Sequence, residues 1–72
     1  MDQYKVRPGK KRRGWKLEGE RLSHGSLWFE TESAAVGYAK WSSRVNGCRV
    51  EILDDQDQVV RTAEFLAGDF AY

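Results

Sequence analysis

Four consecutive cations, Lys10-Lys11-Arg12-Arg13, carry the most obvious chemistry in the chain. Such a run binds phosphate backbones by releasing condensed counterions, an attraction that ignores base sequence and weakens as salt rises. Three more cations flank it. Tyr4-Lys5-Val6-Arg7-Pro8 and Trp15-Lys16-Leu17-Glu18 alternate apolar with charged residues, the period of a half-buried strand. Lys5, Arg7 and Lys16 then share one sheet face. Trp28 joins them if its neighbours Leu27 and Phe29 point inward, and an aromatic ring among cations can stack on an unpaired base. Lys5, Arg7, Lys10, Lys11, Arg12, Arg13, Lys16 and Trp28 are the candidate nucleic-acid-binding residues, expected to form one continuous positive surface with Trp28 near its edge. The same residues also fit a plainer role, a charged loop that aids solubility and blunts a sheet edge, with Trp28 covered by Phe65 or Phe70.

Catalytic and metal chemistry lack their parts. His24 stands beside Ser23 and Ser26, but a triad also needs a carboxylate and a pocket, for which so short a chain has little volume. It reads as a solvated turn histidine. Cys48 and His24 have no metal-ligand spacing, and Cys48 reads as a small buried apolar residue. Asp54, Asp55 and Asp57 lack the glycine and the distal bidentate glutamate of a calcium loop; they read as a solvated hairpin turn. The glycines at 9, 14, 19 and 25 do not join a strand to a helix as a phosphate-binding loop does. The expectation is a non-enzymatic protein with no cofactor and no small-molecule substrate.

Seventy-two residues make one domain, 1–72, near the lower size limit for a core without staples. Hydrophobic residues at 40% and aromatics at 12% argue for a packed globule rather than disorder. A single cysteine permits no internal disulfide and suits a reducing compartment. No apolar run approaches the ~18 residues that span a membrane, and the first residues lack a signal-peptide core. A cytoplasmic protein with no membrane partner is expected. Net charge is only +1, but it is unevenly spread: residues 1–21 hold eight bases and three acids, net +5, and residues 22–72 hold four and eight, net −4.

The elements that position these residues centre on Thr31 to Gly47. Ala34, Ala35, Tyr38, Ala39, Trp41, Ser42 and Val45 fall on one side of a helical wheel. Thr31 is a natural N-cap, and Asn46-Gly47 is a C-terminal stop. Before the helix come strands at Tyr4–Pro8, Trp15–Glu18 and Leu27–Phe29. After it, Arg49–Leu53 and Gln58–Thr62 form a hairpin around Asp54–Asp57, with Val59 and Val60 leaving the phase of the last strand open. Trp15 and Trp41 read as core or partly buried packing. Residues 63–72 have no clear period, and Phe65, Leu66, Phe70 and Tyr72 either fold back, meet a partner or stay mobile.

Gly14-Trp15, Thr31 sixteen residues after the Trp, Ala35, Ala39, Gly47, Ile52 and Val59 stand at spacings that resemble the small bacterial domain-of-unknown-function family 2188. The resemblance covers about residues 4–62. It implies a compact α+β fold and a bacterial or phage source, and it carries no activity, cofactor or catalytic residue. Asp57 stands where that family has a turn glycine, and the Lys10–Arg13 loop is longer and more basic than its usual form.

The expected fold is α+β, in the order β-β-β-α-β-β, with a small antiparallel sheet packed on one helix and a C-terminal hairpin. The expected function is a binding module that takes nucleic acid on its basic face. The alternative is a protein-interaction or homo-oligomerising module that uses an edge strand and the C-terminal aromatics.

Overall fold

The computed structural model describes residues 1–22 and 25–68. The readings made for Ser23, His24, Phe70 and Tyr72 therefore lie outside the described residues. The elements are β1 (Asp2–Pro8), β2 (Trp15–Gly19), β3 (Ser26–Phe29), α1 (Glu32–Ser42), β4 (Cys48–Leu53) and β5 (Val59–Phe65). They form a small α+β fold, one five-stranded sheet in the order β3-β2-β1-β4-β5 with a single helix on one face.

The sheet is mixed, which corrects the antiparallel expectation. β1 pairs antiparallel with β2, β2 with β3 and β4 with β5, but β1 and β4 run parallel, with Tyr4 opposite Val50 and Val6 opposite Ile52. Short loops force antiparallel neighbours, whereas a parallel pair needs a long crossover. Here the crossover is everything from β2 through α1. The C-terminal hairpin β4–β5 belongs to this same sheet.

The core lies between helix and sheet. Tyr4, Val6, Leu17, Cys48, Val50 and Ile52 face Ala35 and Ala39, all buried. Trp15, Leu27 and Phe29 share that face but are only half-buried, Leu27 and Phe29 on the edge strand β3 and Trp15 opposite Phe29 at the start of β2. The two alanines let the helix approach the sheet closely. Thr31 caps its first turn, its hydroxyl accepting from the Ala34 N–H at 3.1 Å.

The helix is shorter, and its apolar face narrower, than the wheel suggested. Helical backbone ends at Ser42, and Val45 sits in the following turn, exposed. Trp41 is 54% exposed; at 100° per residue it lies about 160° round from Ala39. Ala34 is exposed and Val36 packs inward instead. Gly47 has φ +77° as its type suggested, but at the approach to β4 rather than as the helix cap, a role taken by Ser43.

The last strand runs three residues further than its sequence suggested, to Phe65, which packs against the core. Its phase is fixed by pairing. Arg61, Ala63 and Phe65 oppose Ile52, Val50 and Cys48 and so share the helix side. Asp57 takes the left-handed backbone at φ 62°, doing in the hairpin turn what a glycine does with less strain. The Asp54 carboxylate holds that turn by accepting from Gln56 N–H at 2.8 Å and Gln58 N–H at 2.9 Å.

Candidate nucleic-acid interface

On the sheet face away from the helix, register sets Arg7 opposite Lys16 and Lys16 opposite Trp28, one row across β1, β2 and β3. The next row reads Ser26, Glu18, Lys5, Glu51, Thr62. Seven cations and a tryptophan were expected to make one positive surface. The structure brings most of them together and sets acids among them. Lys5 is exposed but stands between Glu18 and Glu51, one row from the others.

The basic loop is anchored. Its ends meet where the Gly9 N–H donates to the Gly14 carbonyl at 2.9 Å. Both glycines are required by space. A Cβ on Gly9 would overlap the Arg12 carbonyl, and one on Gly14, which has φ +112°, would come 2.6 Å from the Phe29 carbonyl oxygen. The loop folds over Trp28, with the Arg12 guanidinium 4.5 Å from the ring centroid. Trp28 does point outward, but it is half-buried under this loop. Its cover is Arg12 rather than Phe65, which lies on the opposite face. Lys10, Lys11, Arg12 and Arg13 remain exposed.

Arg7, Pro8, Gly9, Lys10, Lys16 and Trp28 line a cleft of about 240 Å³. Two acids tie its cations in place. Glu18 pairs with Arg7 at 2.9 Å and Lys16 at 3.4 Å. Asp57 pairs with Arg7 at 3.0 Å and Lys10 at 3.9 Å. Arg7 is thus held from both sides, and its Nε is buried with no acceptor among the described residues. These pairs are partly exposed and contribute little to stability, but they fix the direction of the side chains. Among the described residues, Lys11 and Arg13 form no ion pair and face solvent.

Two features escaped the sequence. One is a partly buried polar cluster at the opposite end of β1. The Ser43 hydroxyl donates to Asp2 Oδ2 at 2.7 Å and accepts from the Tyr4 hydroxyl at 2.8 Å, and Arg21 Nε approaches Asp2 at 3.4 Å. Nothing in the local pattern marks Ser43 as the meeting point of the helix end and the first strand. The other is an aromatic ladder, Phe29–Tyr38–Trp41, with the Arg44 guanidinium 4.5 Å from the Trp41 centroid. Arg44 lies three residues after Trp41, a spacing that brings side chains together on a helix and could have revealed the pair.

Among the described residues, no three His, Cys, Asp or Glu side chains are grouped to hold a metal. Cys48 is fully buried, and burial first, then the negative charge of Asp2, pushes its thiol pKa up, away from the reactive thiolate. No helix among the described residues is long and apolar enough to cross a membrane. Comparison with protein-family models, with curated proteins and with solved structures found no match.

Proposed function

We propose that this chain is a small non-enzymatic module that binds single-stranded nucleic acid along the basic loop and the adjoining cleft. The reading rests on one observation: the loop is pinned over Trp28, so that Lys10, Lys11, Arg12 and Arg13 are presented from one closed turn beside Lys16. A disordered basic run would lose conformational entropy on binding. This turn has lost much of it already. Lys10, Lys11, Arg13 and Lys16 meet phosphates. A base lies on the outer face of the Arg12 guanidinium, whose inner face rests on Trp28, since guanidinium planes stack with bases as aromatic rings do. Arg7 orients its neighbours through Glu18 and Asp57 rather than contacting phosphate. The family resemblance, itself a proposal, supports the compact scaffold and leaves this loop as the chain's own addition.

Affinity is expected to be weak and indifferent to sequence, on the order of 10⁻⁴–10⁻⁶ M at physiological salt. The test is a titration of labelled single- and double-stranded DNA at ~50 mM salt, where phosphate-driven binding is strongest. Binding of the single strand in preference to the duplex supports the reading. No binding of either returns the loop to a solvated, edge-blunting surface.

A further inference from the structure

The turn between β4 and β5 lies beside the basic loop because β1 and β4 run parallel. Val6 stands opposite Ile52, so the chain leaving β1 through Arg7 and Pro8 emerges at the same end of the sheet as the chain leaving β4 into residues 54–58. That turn holds three aspartates, and each does something different. Asp54 folds its carboxylate back onto the turn. Asp55 is exposed and makes no ion pair among the described residues. Asp57 reaches the basic loop: its Oδ1 accepts from Arg7 Nη1 at 3.0 Å, and its Oδ2 lies 3.9 Å from Lys10 Nζ. The backbone fixes this direction, with φ at 62° and the Asp57 N–H donating to the Asp54 carbonyl at 3.1 Å. Arg7 is engaged at both terminal nitrogens, Nη1 by Asp57 and Nη2 by Glu18 at 2.9 Å. A carboxylate oxygen on a guanidinium, with an ammonium alongside, is the arrangement a phosphate takes.

We propose that Arg7 and Lys10 form an anion site for a phosphate group, and that Asp57 occupies it in the free protein as a tethered competitor. The source of the phosphate rests on the nucleic-acid reading above; the competition itself does not. A tethered group acts at an effective concentration of the order of millimolar, well above that of a dilute strand. Its two contacts are unequal. The bond to Arg7 is a charge-assisted hydrogen bond, whereas 3.9 Å to Lys10 is too long for one. Asp57 therefore retains Arg7 and yields Lys10. That is why Lys10 meets phosphate and Arg7 does not. The pair is half-exposed on the Asp57 side, so it attenuates binding rather than blocking it. An exposed ion pair corresponds to a ratio of at most about fivefold.

Asp57→Asn tests the competition. Asparagine tolerates the left-handed backbone, so the turn is kept while the charge is lost. Asp55→Asn is the control, since it changes net charge equally but releases no cation. The first arm titrates inorganic pyrophosphate, at constant ionic strength, into nitrogen-labelled protein and follows the Arg7 Nε–H signal by NMR. That nitrogen is buried without an acceptor and sits beside both engaged nitrogens. The midpoint should fall about threefold to fivefold in Asp57→Asn and little in Asp55→Asn. The second arm titrates labelled single-stranded DNA. Asp57→Asn should tighten binding by a similar factor and steepen the slope of log K against log salt by about 0.7, one added phosphate contact. Arg7→Gln in that background should return the wild-type slope. An Arg7 signal that does not respond in Asp57→Asn, a midpoint equal to the wild type's, or an equal effect of Asp55→Asn overturns the proposal. So does strand binding whose slope Asp57→Asn leaves unchanged. Single-strand binding by no variant, with the pyrophosphate result as expected, sinks the nucleic-acid reading and leaves the anion site standing.

Discussion

Ser43→Ala removes one oxygen and disconnects the end of the helix from the first strand. Ser43 is 2% exposed, and its hydroxyl joins the end of α1 to both Asp2 and Tyr4 of β1. Its single proton goes to the Asp2 carboxylate, so the Tyr4 hydroxyl must donate to it. A hydrogen bond to an ionised group contributes about 1.5–3 kcal/mol, and a neutral one about 1 kcal/mol. The two share an atom and do not simply add. Asp2 keeps Arg21 at 3.4 Å and some contact with water, its side chain being 19% exposed, which softens the loss. Tyr4 keeps only a long contact to Ser42 Oγ at 3.5 Å and is otherwise stranded. The expected cost is about 2–3 kcal/mol. That is a large share of the roughly 4–11 kcal/mol that holds a domain of this size, and it should lower Tm by roughly 10–20 °C. Urea unfolding followed by tryptophan fluorescence measures it, with the m-value unchanged. Tyr4→Phe alone should cost about 1 kcal/mol, and the double variant less than the sum. A loss below about 0.5 kcal/mol for Ser43→Ala, the size of an ordinary surface change, would refute the account of how helix and first strand are fastened.

Three further outcomes are expected. Ala39→Asp should unfold the domain, because Ala39 is 0% exposed and an unpaired carboxylate would sit between helix and sheet; a cooperative melt near the wild-type temperature would contradict that packing. The Cys48 thiol is held above its ordinary pKa, so the unfolded state gives up the proton first. Its stability contribution is complete below the unfolded thiol pKa of about 8.5 and declines as pH rises past it. Alkaline unfolding curves should thus be flatter with pH for Cys48→Ala than for the wild type. Arg12→Lys keeps the charge but removes the plane that lies on Trp28. It should weaken single-strand binding several-fold with little change in salt dependence, and equal loss for duplex would exclude a stacked base.

How much of this could be read beforehand follows from what each signal encodes. Period-2 alternation gave the faces of β1 and β2, and the Thr31 cap and Ala35/Ala39 step placed the start of the helix and its contact stripe. Pairing direction was not legible, because the residues of β1 and β4 look alike whether the strands run parallel or antiparallel. Trp41 and Val45 misled because an apolar type says nothing about direction once a helix ends early, and Trp41 finds its cover in Arg44 instead. For the candidate site, alternation correctly put Arg7, Lys16 and Trp28 on one face. The pinning of the loop by Arg12, and the ion pairs from Glu18 and Asp57, depend on contacts between residues far apart in the chain, Arg7 and Asp57 above all. Composition alone counted those acids without locating them.

The salt dependence of single-strand binding tests the central claim most directly. Counting Lys10, Lys11, Arg13 and Lys16 as phosphate contacts at ~0.7 each, the slope of log K against log salt should be about −3. Affinity should then fall roughly fiftyfold between about 50 and 200 mM. Changing Lys10, Lys11, Arg12 and Arg13 to Ser together should leave Lys16 alone and reduce the slope to about −1. An unchanged slope in that variant, or binding in the wild type that ignores salt, would contradict a phosphate-binding loop.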